Sequence, residues 1–186
     1  MGTTCICHVE FIGPRGHPFY LGPLQLSKNY HLFAALAGVR NGTWGMNLRP
    51  VSPPKGLPEN TSPEIREESA KMASYTYGHS WLTAKELLDY DWHQQVHHKA
   101  VADSATPGFK EWLEKGDRSA PPPGTGHSIS GKDGVPATVR DVEWTRTLAV
   151  DVKDFLDGVL PYVKYLGTGY LPESLDKVRI VFWFKD

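Results

Sequence analysis

Cysteine is scarce: among 186 residues only Cys5 and Cys7 occur. They lie two apart in an extended stretch, where a disulfide between them is geometrically poor. A disulfide scaffold is therefore excluded, and reduced thiols of an intracellular protein are the natural reading. A Cys-x-Cys-His metal site would need a second ligand pair at regular spacing, which the chain lacks. No apolar run reaches the length of a membrane span. The start, "MGTTCICHVEF", has neither the basic region nor the apolar run of a signal peptide. Ile6 stands where a myristoylation signal needs Ser or Thr. Charge of one sign is also missing: 20 basic and 21 acidic residues leave a net charge of −1. Broad electrostatic capture of DNA or RNA needs a strongly basic face and is not expected. Walker, GxSxG, GxGxxG and HExxH patterns are all absent, which removes the commonest nucleotide-hydrolysing, serine-hydrolase and zinc-protease readings.

What is present suits one domain spanning 1–186, long enough to bury a core without staples. Residues 4–12, "TCICHVEFI", read as a strand ended by Gly13-Pro14, and "HPFYLGPLQL" as a short second one. "SKNYHLFAALAGV" reads as a helix capped by Ser27, striped by Tyr30, Phe33, Leu36 and Ala37, and stopped by Gly38. Residues 40–63 hold three glycines and five prolines and read as a long ordered loop. A short polar helix follows over Glu64 to Met72. Thr83 and Glu86 form a capping box that starts a helix near Ala84, which is expected to run on irregularly through "DWHQQVHH". "GFKEWLEKG" reads as another helix, and 117–136 as a flexible Pro/Gly/Ser-rich excursion. "TVRDVEWTRTLAV" is partly extended. "DVKDFLDGVLPYVKYLG" reads as an amphipathic helix with Phe155, Val159, Tyr162 and Val163 inward, kinked or broken near Pro161. "KVRIVFWFKD" is a strong strand. The expected fold is α+β: a small antiparallel or mixed sheet containing the first and last strands, with helices packed on it and long ordered loops.

Three stretches carry chemistry. In "YTYGHSWLT", His79 and Ser80 would donate beside a helix N-terminus, where anions bind, while Tyr75, Tyr77 and Trp81 offer stacking rings. The competing reading is a packed helix entrance, with Trp81 as hydrophobic staple. In "GVRNGTWGMNLR", Arg40 and Arg49 could fork onto phosphate, Asn41 and Asn47 read a base edge, and Trp44 stack. The alternative there is an Asn-Gly turn with surface arginines. In "DWHQQVHH", His93 and His97 have the i, i+4 spacing that faces one metal if the segment is helical, with Asp91 or His98 nearby. Solvated histidines are the plainer reading. Ser128 and Ser130 near His127 lack an evident acid partner for hydrolase chemistry.

The stretches "YHLFAALAGVRNG", "PPKGLPENTS", "HSWLTAKELLDYDW" and "VRIVFWFKD" follow one another in an order that resembles a family of small tailed-phage proteins. Its members begin Met-Gly-Cys-Asp-Ile-His and carry an Arg-Gly-Leu-Pro segment, an HSxSW segment and a VRxVFWFDN strand. The resemblance extends over the chain apart from about 100–140. Thr3, Thr4 and Ile6 replace the family's polar start, so no metal or catalytic role is carried over to it. Lys55 stands in the place of the family's usual arginine. His79, Ser80 and Trp81 match the last three positions of the tryptophan motif, with Tyr77 at its first histidine. The resemblance implies a phage accessory protein of the host bacterial cytoplasm that counters host defence. One such strategy is to bind and sequester a nucleotide-derived immune signal, of cyclic dinucleotide or cyclic ADP-ribose type, without cleaving it. Arg40, Asn41 and Lys55 would meet phosphate, Trp44, Tyr77 and Trp81 would stack, and His79 and Ser80 would donate. That reading expects no cofactor and no resident metal, and is compatible with a homo-oligomer. One alternative is a metal-assisted phosphodiesterase using His79, His93 and His97 with Asp89 or Asp91. The other is a protein-binding inhibitor of a host factor that uses an aromatic patch around Trp112 or the 117–136 arm.

Overall fold

The computed structural model describes residues 2–126, 138–169 and 175–186, without the side chain of Trp44. The fold is α+β, with two antiparallel sheets. The elements are β1 (Thr4–Ile12), β2 (Pro18–Leu24), α1 (Tyr30–Ala37), a 3-10 turn (Thr43–Gly45), α2 (Pro63–Lys71), β3 (Thr76–Thr83) and α3 (Ala84–Asp89). They continue with β4 (Gln95–Asp103), α4 (Phe109–Lys115), β5 (Thr125–Gly126), β6 (Val139–Thr147) and α5 (Leu148–Asp151). A π-helical turn (Phe155–Val159), α6 (Leu160–Gly169) and β7 (Val178–Lys185) complete the order. The chain divides into two compact units, one of Met1–Asn41, Leu48–Trp92 and Asp151–Asp186, the other of Gly42–Asn47 and His93–Val150. Among the described residues no helix is long and apolar enough to cross a membrane.

The first unit holds the four-stranded sheet, ordered β2-β1-β7-β3. The first and last strands are neighbours, as the sequence led us to expect, from Thr4 opposite Lys185 to Phe11 opposite Val178. Both faces of the sheet are covered. On one, Phe184 meets Phe33 of α1 edge-on at 5.3 Å. On the other, Val181 and Trp183 pack with Ile65 of α2. That double cover explains why β7 is an unbroken apolar run and not an alternating one: Val178 through Phe184 are all buried. Proline is tolerated in β2 because β2 is an edge strand, and its pattern exposes Phe19 and Leu21.

The second unit holds the three-stranded sheet β5-β4-β6. Ala102, Val142 and Trp144 on one face bury against Phe109 of α4.

Several local expectations change. The cap of α1 is Asn29, whose side chain accepts from His31 N at 3.0 Å and Leu32 N at 3.2 Å; Ser27 lies outside the turn. Gly38 does stop the helix, at φ 72 and with its N–H on Ala34 O. Residues 76–82 are strand, not the lead-in turn of a helix, so Trp81 is a sheet residue and no staple. The capping box of Thr83 and Glu86 is present. The segment after Asp91 pairs as β4 instead of prolonging α3, because its period is two: Val96 and His98 are buried, Gln95 and His97 exposed. Of the four positions expected inward near the end, Phe155 and Val163 are buried, while Tyr162 is exposed.

Candidate functional site

Sheet register decides which side chains meet. Because Thr4 and Thr76 both lie opposite Lys185, the residues flanking those pairs gather at one end of the sheet. There, one carboxylate oxygen, Asp186 Oδ1, accepts three hydrogen bonds. Thr3 Oγ1 donates at 2.6 Å, Arg40 Nη2 at 2.7 Å and Tyr77 OH at 3.1 Å. Arg40 Nε also donates to Thr3 Oγ1 at 2.7 Å, so threonine and guanidinium hold each other in place. Thr3 is fully buried, whereas the Arg40 and Asp186 side chains are about half exposed. The hydrogen bond from Thr3, with those from Arg40 and Tyr77 and the Arg40 charge, holds the Asp186 carboxyl below its ordinary value. Arg40 has φ 61, a left-handed conformation that non-glycine residues rarely adopt. Its guanidinium is bonded to Thr3 and Asp186, and backbone strain of this kind clusters at functional positions.

The same end carries a second cation and a ring. Lys28 Nζ and Arg40 Cζ each lie 5.9 Å from the centroid of Tyr30. Lys28 Nζ and the Tyr30 hydroxyl lie close over Gly2, at 2.2 and 2.8 Å from where a Cβ there would sit. One cation, one phenol and a hydroxyl therefore converge on Asp186 Oδ1, and Lys28 and Tyr30 lie beside Arg40 at the same end.

The remaining expected site residues form a different cluster along β3. Lys55 N donates to Ser80 Oγ at 3.2 Å and Gly56 N to His79 O at 2.8 Å, fastening the 53–57 loop to the strand edge. Lys55 Nζ reaches Glu86 Oε1 at 2.6 Å and lies 4.3 Å from the Trp81 ring centroid. Burial works to raise Glu86, but hydrogen bonds from Lys55 and Thr83 outweigh it and leave its carboxyl low. The N-terminus of α3, read from the sequence as an anion seat, is thus engaged by its own Thr83 and Glu86. Arg179 lies 5.5 Å from the same tryptophan ring. It is buried and paired with buried Glu10, Nη2 to Oε2 at 2.8 Å. Glu10 Oε1 further accepts from Thr61 Oγ1 at 2.9 Å and Ser62 N at 2.6 Å, and Arg179 Nη1 donates to Asn60 Oδ1 at 3.0 Å. This network pins the proline-rich loop onto the sheet.

His79 points under α2, its Nε2 3.0 Å from Ser69 Oγ, and stacks on Trp183 at 5.5 Å. His8 stacks on the same indole at 5.2 Å, with Nδ1 3.2 Å from Tyr20 OH and Nε2 3.5 Å from Glu68. Burial lowers both imidazoles below their ordinary value, against a smaller upward pull from Glu68 and Glu10 on His8. Burial likewise pushes the Cys5 and Cys7 thiols well up, which fits inert reduced cysteines.

Arg40 and Tyr77 are therefore brought together, and Lys55, Ser80 and Trp81 are brought together elsewhere on β3. Asn41 serves the backbone: its side chain donates to Leu48 O at 2.7 Å and accepts from Leu48 N at 3.0 Å, closing the loop between. The Trp44 side chain and the His127, Ser128 and Ser130 group lie outside the described residues. The metal reading loses its helical premise. His97 is on a strand, with Nδ1 3.0 Å from Thr145 Oγ1, whereas His93 lies in the turn before it, so no helix carries the two at i, i+4. Asp89 is paired with Lys85. Thr3, Lys28, Tyr30, Glu10, Arg179 and Asp186 were not legible as site residues. They are ordinary residue types, and the partners of Thr3, Glu10, Arg179 and Asp186 lie far along the chain.

Comparison of the chain with protein-family models, curated proteins and solved structures returns no match.

Proposed function

We propose that this is a phage accessory protein that binds and sequesters a small anionic, ring-bearing ligand, a nucleotide-derived immune signal of cyclic dinucleotide or cyclic ADP-ribose type. The observation that carries the reading is the triple hydrogen bond onto Asp186 Oδ1 from Thr3, Arg40 and Tyr77. A phosphate oxygen has the same needs as that carboxylate oxygen: a charge-assisted guanidinium bond and hydroxyl donors. Lys28 adds a second cation, while Tyr30 and Tyr77 offer rings for a base. In this reading Asp186 is the internal stand-in that an incoming phosphate displaces. The cluster supplies donors, cations and rings, the groups of a binder, and the ligand is expected to be released intact.

Thermal shift against cyclic dinucleotides and ADP-ribose isomers tests it. Ligand at 100 times its dissociation constant adds about 2.7 kcal/mol of stability. A shift with one nucleotide class is expected, weakened about tenfold or more in affinity by Arg40→Ala and strengthened by Asp186→Asn, which removes the competing charge. Ligand recovered unchanged after heating the complex supports sequestration; hydrolysed product alone sinks it. A flat screen for wild type and Asp186→Asn alike removes the reading.

A further inference from the structure

We propose that the second unit carries a separate docking groove, for an extended acidic peptide of a partner protein, added as a strand beside β6. The groove has a volume of about 650 Å³ and lies between α4 and β6. Phe109, Lys110, Trp112 and Leu113 of α4 line one side, and Arg140 to Glu143 of β6 the other.

Three observations point to a strand as its occupant. First, among the described residues β6 is an edge strand, paired with β4 alone. Second, its outer edge already accepts backbone: Thr145 N donates to Arg118 O at 2.7 Å. A strand alternates which way its amides face. Thr145 N points outward, and Leu148 N, three positions on, points inward to Gln94 O at 2.9 Å. Asp141 and Glu143 share the parity of Thr145. Their N–H and C=O groups therefore face away from β4, along the groove, in line with the segment at Arg118. Adding a strand to such an edge gives affinity through main-chain bonds, with side-chain pockets for specificity.

Third, the side chains on the α4 side of the groove are apolar or basic apart from Ser104, whose hydroxyl donates to Thr138 O at 2.6 Å. Val142 and Trp144 face α4, so Arg140 shares their side, and Asp141 and Glu143 turn to the other. Glu143 is spent there on Lys99 at 2.8 Å. The Arg118 guanidinium stacks 3.9 Å from the Trp112 ring and donates to Trp112 O at 3.2 Å, fixed at the mouth of the groove. Lys110 pairs loosely with Glu114 at 3.7 Å, both side chains mostly exposed. Leu113, half exposed, supplies an apolar contact. Charge complementarity thus selects acidic residues at the alternate peptide positions that face α4, and the residues between them turn to the opposite face.

The test titrates fluorescein-labelled peptides of alternating Glu and one of Leu, Val or Phe with the full chain, read by anisotropy. Amide hydrogen exchange follows Asp141 and Glu143 in parallel. Saturable binding is expected, with exchange at those two amides slowed about tenfold or more at saturation. Affinity should fall about tenfold or more with Lys in place of Glu, with N-methylation of alternate peptide amides, and in Arg118→Ala combined with Arg140→Ala. Lys99→Ala, on the opposite face, should leave binding unchanged. Exchange at untouched amides of β4 shows whether each variant is folded. No binding by any of the peptides up to about 1 mM overturns the proposal. So does binding that ignores N-methylation or leaves both amides unprotected. ATP bound in an Arg118-dependent manner, with no peptide binding, would assign the groove to a small anion and likewise overturn it.

Discussion

At the scale of single residues, the buried pair of Glu10 and Arg179 is the most consequential feature that sequence reading did not bring out. Removing one partner strands a charge in the interior, which destabilises by about 3–5 kcal/mol. Arg179→Ala should therefore show a loss of that order in urea unfolding, while Glu10→Gln with Arg179→Met together should lose clearly less. A double mutant no better than the single would contradict the network's charge pairing. Burial alone would raise Glu10, but Ser62 and Arg179 outweigh it and leave it below its ordinary value. Its contribution is present above the unfolded carboxylate value, about 4.3, and is lost as pH falls through the lower folded one. His8 and His79 act in the same direction at higher pH. Their folded values lie below about 6.5, so the unfolded chain binds protons first and stability declines as pH drops from there. Urea midpoints measured from pH 7.5 to 5 should fall, and His79→Gln should flatten part of that fall. A slope unchanged in that variant would place the titration elsewhere.

At the scale of elements, helix starts separate the two candidate caps of α1. Asn29→Ala should cost about 1 kcal/mol, because two backbone N–H groups lose their acceptor, whereas Ser27→Ala should be close to neutral. Chemical denaturation of the two variants decides it; equal losses would contradict the cap. The sequence signals that succeeded here were local. Gly38 at a helix end and the Thr83–Glu86 box report geometry that a few neighbouring residues decide. The misassigned piece, "DWHQQVHH", failed for a physical reason. Histidine spacing of four satisfies a helix and a strand face equally, and only pairing with β6 selects the strand.

At the scale of the whole molecule, the four-stranded sheet closes between chain positions as distant as Thr4 and Lys185. Loop closure must precede most of its contacts, which slows folding. Stopped-flow refolding from urea should show a main phase of milliseconds to seconds; microsecond refolding would contradict control by this sheet. The α+β class and the adjacency of first and last strands were readable from two sheet-prone ends flanking helical periods. The two-sided burial of β7 was foreshadowed by its continuous apolar run, though the identity of the covering helices was not. At the candidate site, Arg40 and Tyr77 were singled out for their chemistry alone. That they would share one anion position with Thr3 and Asp186 was invisible, because it depends on register.

The sequence by itself determined the elements that local chemistry decides: the caps, the glycine stop, the turn-rich loop and the strands of β-branched and aromatic residues. It also determined which residue types, such as Arg40, Lys55, Tyr77 and Trp81, are available to a site. Tertiary structure decided which of them meet. Pairing Thr4 and Thr76 to the same residue of β7 sets Thr3, Arg40, Tyr77 and Asp186 around one oxygen. It directs Lys55 and Arg179 to carboxylates instead of solvent. The physical reason is range: capping and periodicity act over a few residues, whereas a shared anion position needs long-range register that no short stretch encodes.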